Sequence, residues 1–211
     1  MAKKICPIRP KNLDDLISYL ERLSQRVDVI EIWLDNISTE ILAREKKYEE
    51  IFRKTNIPLL GVCKIPAHGG NFSGTESDRL QVLDIFLEFG GRWVDLDIAT
   101  TEKGQIKKIP AKNLWLSFHD FSNADIKVLK KNLEYMRSWN PFLYKFSVTP
   151  NDKKSLKNFL SFAKNFPSRG IFTTMGSLGA EGRELLEPET WASFLALDEK
   201  NKTAEGQPVL E

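Results

Sequence analysis

Two side chains stand out by type and surroundings. Lys145 lies inside the apolar run FLYKFSV, flanked by Tyr144 and Phe146. Charged lysine is rarely buried without a reason. In a tight apolar site the ammonium form is disfavoured and the pKa falls. The neutral amine can then attack a carbonyl carbon and form a Schiff base. The other reading is an edge-strand lysine whose stem lies on apolar surface while its head reaches water. His119 closes the run LWLSFH and is one of two histidines, the other being His68. An imidazole both takes and gives a proton near neutrality. Beside an iminium it can abstract the neighbouring carbon-bound proton; the plainer reading is a histidine hydrogen-bonded at a strand end. Asp120 follows and reads as the start of the turn into the next helix.

Other side chains, most of them ionisable, fall at the ends of strand-like runs. These are Glu31, Trp33 and Asp35 in VIEIWLD, Lys64 in LLGVCKI, and Asp95 with Asp97 in WVDLDI. Met175 ends GIFTTM, and Arg183 follows it. Asp95 and Asp97 alternate along a strand, so both carboxylates share one face. They read either as ligands for a divalent cation or as a pair holding nearby cations. No His/Asp/Glu cluster has metal-ligand spacing, and no metal is expected. The stretch AHGGNFSG does not match a phosphate-binding loop. Its glycines predict unusual backbone angles.

The elements that must position these residues alternate regularly. ICPI, DVIEIWLD, IPLLGVCKI, RWVDLDI, NLWLSFH, FLYKFSV and GIFTTM read as strands, with WASFLAL as a further apolar run. Between them lie helical patterns. The first is NLDDLISYLERLSQR, with Asn12 as N-cap, followed by STEILAREKKYEEIFRKT. Next come DRLQVLDIFLEFG closed by Gly90, NADIKVLKKNLEYMRSW and NDKKSLKNFLSFAKNF. Strands alternating with helices imply parallel strands joined by crossovers. About eight such units in 211 residues match a (β/α)8 TIM barrel. An open doubly wound sheet is the competing arrangement, but no glycine-rich fingerprint follows the first strand. The expectation is one α/β domain over residues 1–211. It lacks the last helix, as in a domain cut from a longer or bifunctional chain.

Composition narrows the class of function. Net charge is +2, from 31 basic and 29 acidic residues. That balance gives no attraction to nucleic acid or an anionic membrane. No apolar run approaches membrane-spanning length, and MAKKICPIRP lacks the apolar core of a signal peptide. Cys6 and Cys63 sit apart, with no disulfide framework or CxxC spacing. A cytoplasmic setting follows.

VIEIWLD, GGNFSGTESDRLQVL, WVDLDI, LSFHDF, YKFSV, TTMGSLGAEGR and TAEGQP come in the order and near the spacing of type I 3-dehydroquinate dehydratases, which the chain resembles nearly throughout. The resemblance implies a (β/α)8 barrel that converts 3-dehydroquinate to 3-dehydroshikimate by syn elimination of water, in the shikimate route to aromatic amino acids. No metal or organic cofactor is implied. Carried over by motif, Lys145 is the Schiff-base lysine and His119 the acid–base. Arg183 holds the substrate carboxylate, where a bidentate guanidinium suits the geometry. Thr203 and Gln207 cover the substrate. Glu31 binds substrate hydroxyls or orients His119, and Ser117 is a strand residue. The chain departs from the family at Trp33 and Lys64, where arginines are usual. It departs again at His68, where an acidic residue precedes the double glycine, and at Glu205, where proline is common. A homodimer is implied, and a fused shikimate dehydrogenase module stays open. So do another Schiff-base lyase or aldolase on a related sugar acid, and a non-catalytic homologue.

Overall fold

A computed structural model describes residues 2–43, 45–99, 101, 106–121, 123–204 and 206–210. The first strand, β1 (Lys3–Ile8), leads to helix α1 (Leu13–Leu23). The Asn12 side chain caps α1 by accepting from the Asp15 amide, as its position predicts. Strand β2 (Val29–Trp33) precedes helices α2 (Ser38–Ala43) and α3 (Glu45–Lys54). The sequence reads as one helix here, and helical residues are described on both sides of Arg44, which itself lies outside the described residues. Strand β3 (Leu59–Val62), helix α4 (Glu76–Glu88) and strand β4 (Trp93–Asp97) follow. Then come β5 (Leu114–Asp120), α5 (Ile126–Arg137), β6 (Leu143–Val148), α6 (Lys153–Lys164), β7 (Gly170–Thr174), α7 (Gly179–Leu186) and β8 (Ala192–Phe194).

The eight parallel strands run in the order β7-β6-β5-β4-β3-β2-β1-β8. That succession, with helices between, is the (β/α)8 TIM barrel expected from the alternation. Several strands are shorter than the apolar runs that announce them. Leu34–Asn36 and Pro66–His68 are single 3-10 turns, so Asp35, Lys64 and His68 sit beyond their strands. Asp120, expected to open a turn, is the last residue of β5. Its carboxylate still accepts from the Asn123 amide, so it performs both tasks.

Internal contacts divide the chain into two units. One comprises Lys4–Asp95, Leu195–Asn201 and Val209–Glu211. Within it, β2 pairs in register with β1 and β3, Glu31 opposite Pro7 and Leu60. All five residues of β2 are buried. Helix α4 is fixed by a capping box, Thr75 and Asp78 each accepting from the other's amide. Gly90 ends it at φ 110°, the left-handed stop that glycine permits.

The other unit comprises Met1–Lys3, Leu96–Phe194 and Lys202–Pro208. Here β6 pairs with β5 and β7, Lys145 lying opposite Ser117 and Ile171. Successive side chains in a strand point to opposite faces. Phe146 therefore points away from Lys145, toward the helices. It meets Phe162 of α6 at 5.1 Å between ring centroids and Phe172 of β7 at 6.3 Å. Phe159 and Phe166 complete the cluster. Burying each such ring stabilises by about 1.5–3 kcal/mol. This aromatic layer fixes β6 from behind.

Candidate active site

Within the second unit, the pairing of β5 with β6 sets the layout. Ser117 and Lys145 share one level, and His119 and Ser147 form the next level on the same face. Lys145 is the third of six residues in β6, mid-strand rather than at a strand end. It is 4% exposed, and β6 has partners on both sides. The edge-strand reading is thereby overturned. Its ammonium nitrogen lies 4.6 Å from the centroid of Phe194 in β8, over the ring face that attracts a cation.

His119 is positioned by a carboxylate. Asp97, the last residue of β4, places Oδ2 in hydrogen-bond contact with His119 Nδ1. Its other oxygen accepts from the Ala99 amide at 2.7 Å. The Ile98 amide donates to Ser117 O at 2.9 Å, which holds the end of β4 against β5. A carboxylate on Nδ1 leaves that nitrogen protonated and Nε2 as the base. Phe121 stacks parallel to the imidazole at 6.0 Å. Asp97 thus takes one of the roles offered for Glu31, that of orienting the histidine. The sequence reading missed it because the partners are 22 residues apart.

Arg183, on α7, donates through Nη1 to Thr174 O at 2.7 Å and through Nη2 to Gly206 O. Burial works against its charge. Gln207 is 4% exposed. Its Oε1 accepts from the Thr203 amide at 2.7 Å and from the Thr203 hydroxyl at 3.0 Å. Gln207 Nε2 is buried with no hydrogen-bond partner among the described residues. The structure therefore brings Arg183, Thr203 and Gln207 together. Glu205 lies outside the described residues. Met175 follows β7, its amide bonded to Val148 O at 2.8 Å.

In the first unit a second polar group forms at the ends of β1 to β3. Trp33 Nε1 donates to Glu31 Oε1 at 3.0 Å, and both residues are buried. Two cations lie against the Trp33 ring, Arg9 at 3.7 Å and Lys64 at 4.4 Å from its centroid. Arg9 was missed in the sequence; its only signal is its place directly after the first strand, in ICPIRP. Asp35 accepts from the amides of Lys64 at 3.3 Å and Asn71 at 2.9 Å. This closes the turn that carries His68. Gly69 has φ 77°, and a Cβ on Gly70 would lie 2.0 Å from Lys64 O. The double glycine is thus a requirement of the tight turn.

The profile of the type I 3-dehydroquinase family matches residues 5–211. A 3-dehydroquinate dehydratase of Dehalococcoides mccartyi is 29% identical over 164 residues, 72% of this chain and 71% of that protein. One from Coxiella burnetii is 26% identical over 181 residues, covering 84% and 76% respectively. Solved structures share the fold. The type I 3-dehydroquinate dehydratase of Clostridium difficile with covalently modified comenic acid aligns at TM-score 0.85 and 20% identity, over 99% of this chain and 88% of that one. The dehydroquinate dehydratase and shikimate dehydrogenase of S. pombe aligns at TM-score 0.80 and 17% identity. There the match covers 99% of this chain and 42% of that one.

Proposed function

The chain belongs to the type I 3-dehydroquinase family, and from that premise we propose that it dehydrates 3-dehydroquinate to 3-dehydroshikimate through a Schiff base on Lys145. The carrying observation is a buried amine one strand from a histidine that a carboxylate holds by Nδ1. The Lys145 nitrogen adds to the substrate ketone, and loss of water gives an iminium. The iminium acidifies the adjacent C–H. His119 Nε2 takes that proton, leaving an enamine. The enamine electrons expel the hydroxyl on the next carbon, and the His119 imidazolium protonates it to water. Hydrolysis of the conjugated iminium returns the amine and releases the unsaturated ketone. The lysine amine supplies the electron sink, so the reading calls on no metal or organic cofactor.

Arg183 is the residue for the substrate carboxylate, with Thr203 and Gln207 closing over it. Glu31 and Lys64 serve ring hydroxyls. A single catalytic domain, a homodimer and a cytoplasmic location accompany this reading. The family resemblance supports the domain and the dimer, and two free, buried cysteines suit the reducing cytoplasm. Among the described residues no helix is long and apolar enough to cross a membrane. Sedimentation at twice the 24.2 kDa chain mass tests the dimer.

The chemical test is reductive trapping. Borohydride added during turnover should fix substrate to Lys145, located by peptide mass. No adduct at saturating substrate, with the protein folded, would sink the Schiff-base reading.

A further inference from the structure

The guanidinium of Arg9 is held in a way the reaction above leaves unused. Arg9 stacks on Trp33. That indole is itself fixed, being 4% exposed and bonded through Nε1 to Glu31. A stacked guanidinium has a set plane, and its N–H groups point outward within that plane. Arg9 Nε is buried with no hydrogen-bond partner among the described residues. Burial works against the charge, and the carboxylates of Asp35 and Glu31 favour it. An N–H donor removed from water without an acceptor is unfavourable until one arrives.

The surrounding charges indicate the acceptor. Arg9 and Lys64 bring two cations, Glu31 and Asp35 two carboxylates. Asp35 is engaged by the Lys64 and Asn71 amides. Donors beside a carboxylate acceptor suit a hydroxyl, which accepts one hydrogen bond and donates another. A bare anion would instead meet the Glu31 charge. We propose that Arg9 is a substrate-binding residue that, together with Glu31 and Lys64, recognises the hydroxyl-bearing edge of a polyhydroxylated ring acid. The identity of that acid rests on the dehydratase reading.

Arg9→Gln and Arg9→Lys are compared with the wild type in steady-state turnover of 3-dehydroquinate. The expected result for R9Q is a KM raised about 10- to 100-fold, the range for a lost charged hydrogen bond, with kcat unchanged. R9K keeps the charge but lacks the planar fork, so its KM stays raised. At saturating substrate the borohydride adduct on Lys145 forms in R9Q as in the wild type. An unchanged KM in R9Q overturns the proposal, as does a loss confined to kcat and melting temperature. If the wild type does not turn over 3-dehydroquinate, the dehydratase reading falls separately. Arg9 is then judged by calorimetric titration with quinate, a hydroxylated ring acid with no ketone. Weaker binding to R9Q supports the role. Equal binding, or binding by neither protein, overturns it.

Discussion

At the scale of single residues, the proposed reaction separates bond-making by Lys145 from proton movement by His119. Lys145→Ala should lose both turnover and the trapped adduct, because no other described group offers a buried amine on that face of β5 and β6. His119→Gln should behave differently. General acid–base assistance contributes about 10²- to 10⁴-fold, so kcat should fall by that order. The imine should still be trapped by borohydride, more slowly. Loss of adduct formation in H119Q equal to that in K145A would show that the histidine is needed for binding or folding rather than proton transfer. The two residues proposed to react stand out in the sequence because each interrupts an apolar strand with an ionisable group. Asp97 as the partner of His119, and Arg9 on Trp33, were not. Both depend on contacts between separate strands, and local patterning carries no record of which side chains meet.

At the scale of elements, short turns do much of the positioning. Gly70→Ala should be severe, since a Cβ there would lie 2.0 Å from Lys64 O and the backbone would have to move. The expected outcome is a lower melting temperature together with a raised KM, because the displaced carbonyl belongs to the residue beside Trp33. A normal KM in a stable G70A protein would mean that this turn does not position Lys64. The helices were largely legible. Apolar spacing and caps at Asn12 and Gly90 mark α1 and the end of α4. The start of α4 was placed too late, at Asp78, although Thr75 and Asp78 carry the capping-box spacing. Strand ends were read too long at β2 and β3. At β2 the buried run continues into a 3-10 turn, where Leu34 and Asp35 are buried, and burial alone does not distinguish a strand from such a turn.

At the scale of the whole molecule, the alternating pattern gave the barrel because crossover connections leave few other arrangements for parallel strands. The two cysteines test how well the interior is sealed. Burial, with the nearby Glu31 carboxylate, pushes the Cys6 thiol up to about 12, and burial likewise raises Cys63. Both should stay protonated and resist alkylation at pH 8 until the protein is unfolded. The linkage has a definite sign. A raised folded pKa means the unfolded chain releases its thiol proton first. This contribution to stability is therefore full below the ordinary thiol pKa of 9.0 and lost as pH rises toward about 12. Rapid alkylation of the native protein by iodoacetamide would contradict the burial of these groups.

The aromatic layer behind β6 has a consequence for time. Backbone amides exchange with solvent only when their segment opens, and densely packed segments open last. Phe146 ties β6 to α6 and β7, while the adjacent Lys145 faces the other way. In deuterated water, the amides of β6 should therefore be among the slowest to exchange. The amine proposed to form the Schiff base, mounted there, should keep its alignment through the small local openings that loosen other parts of the chain.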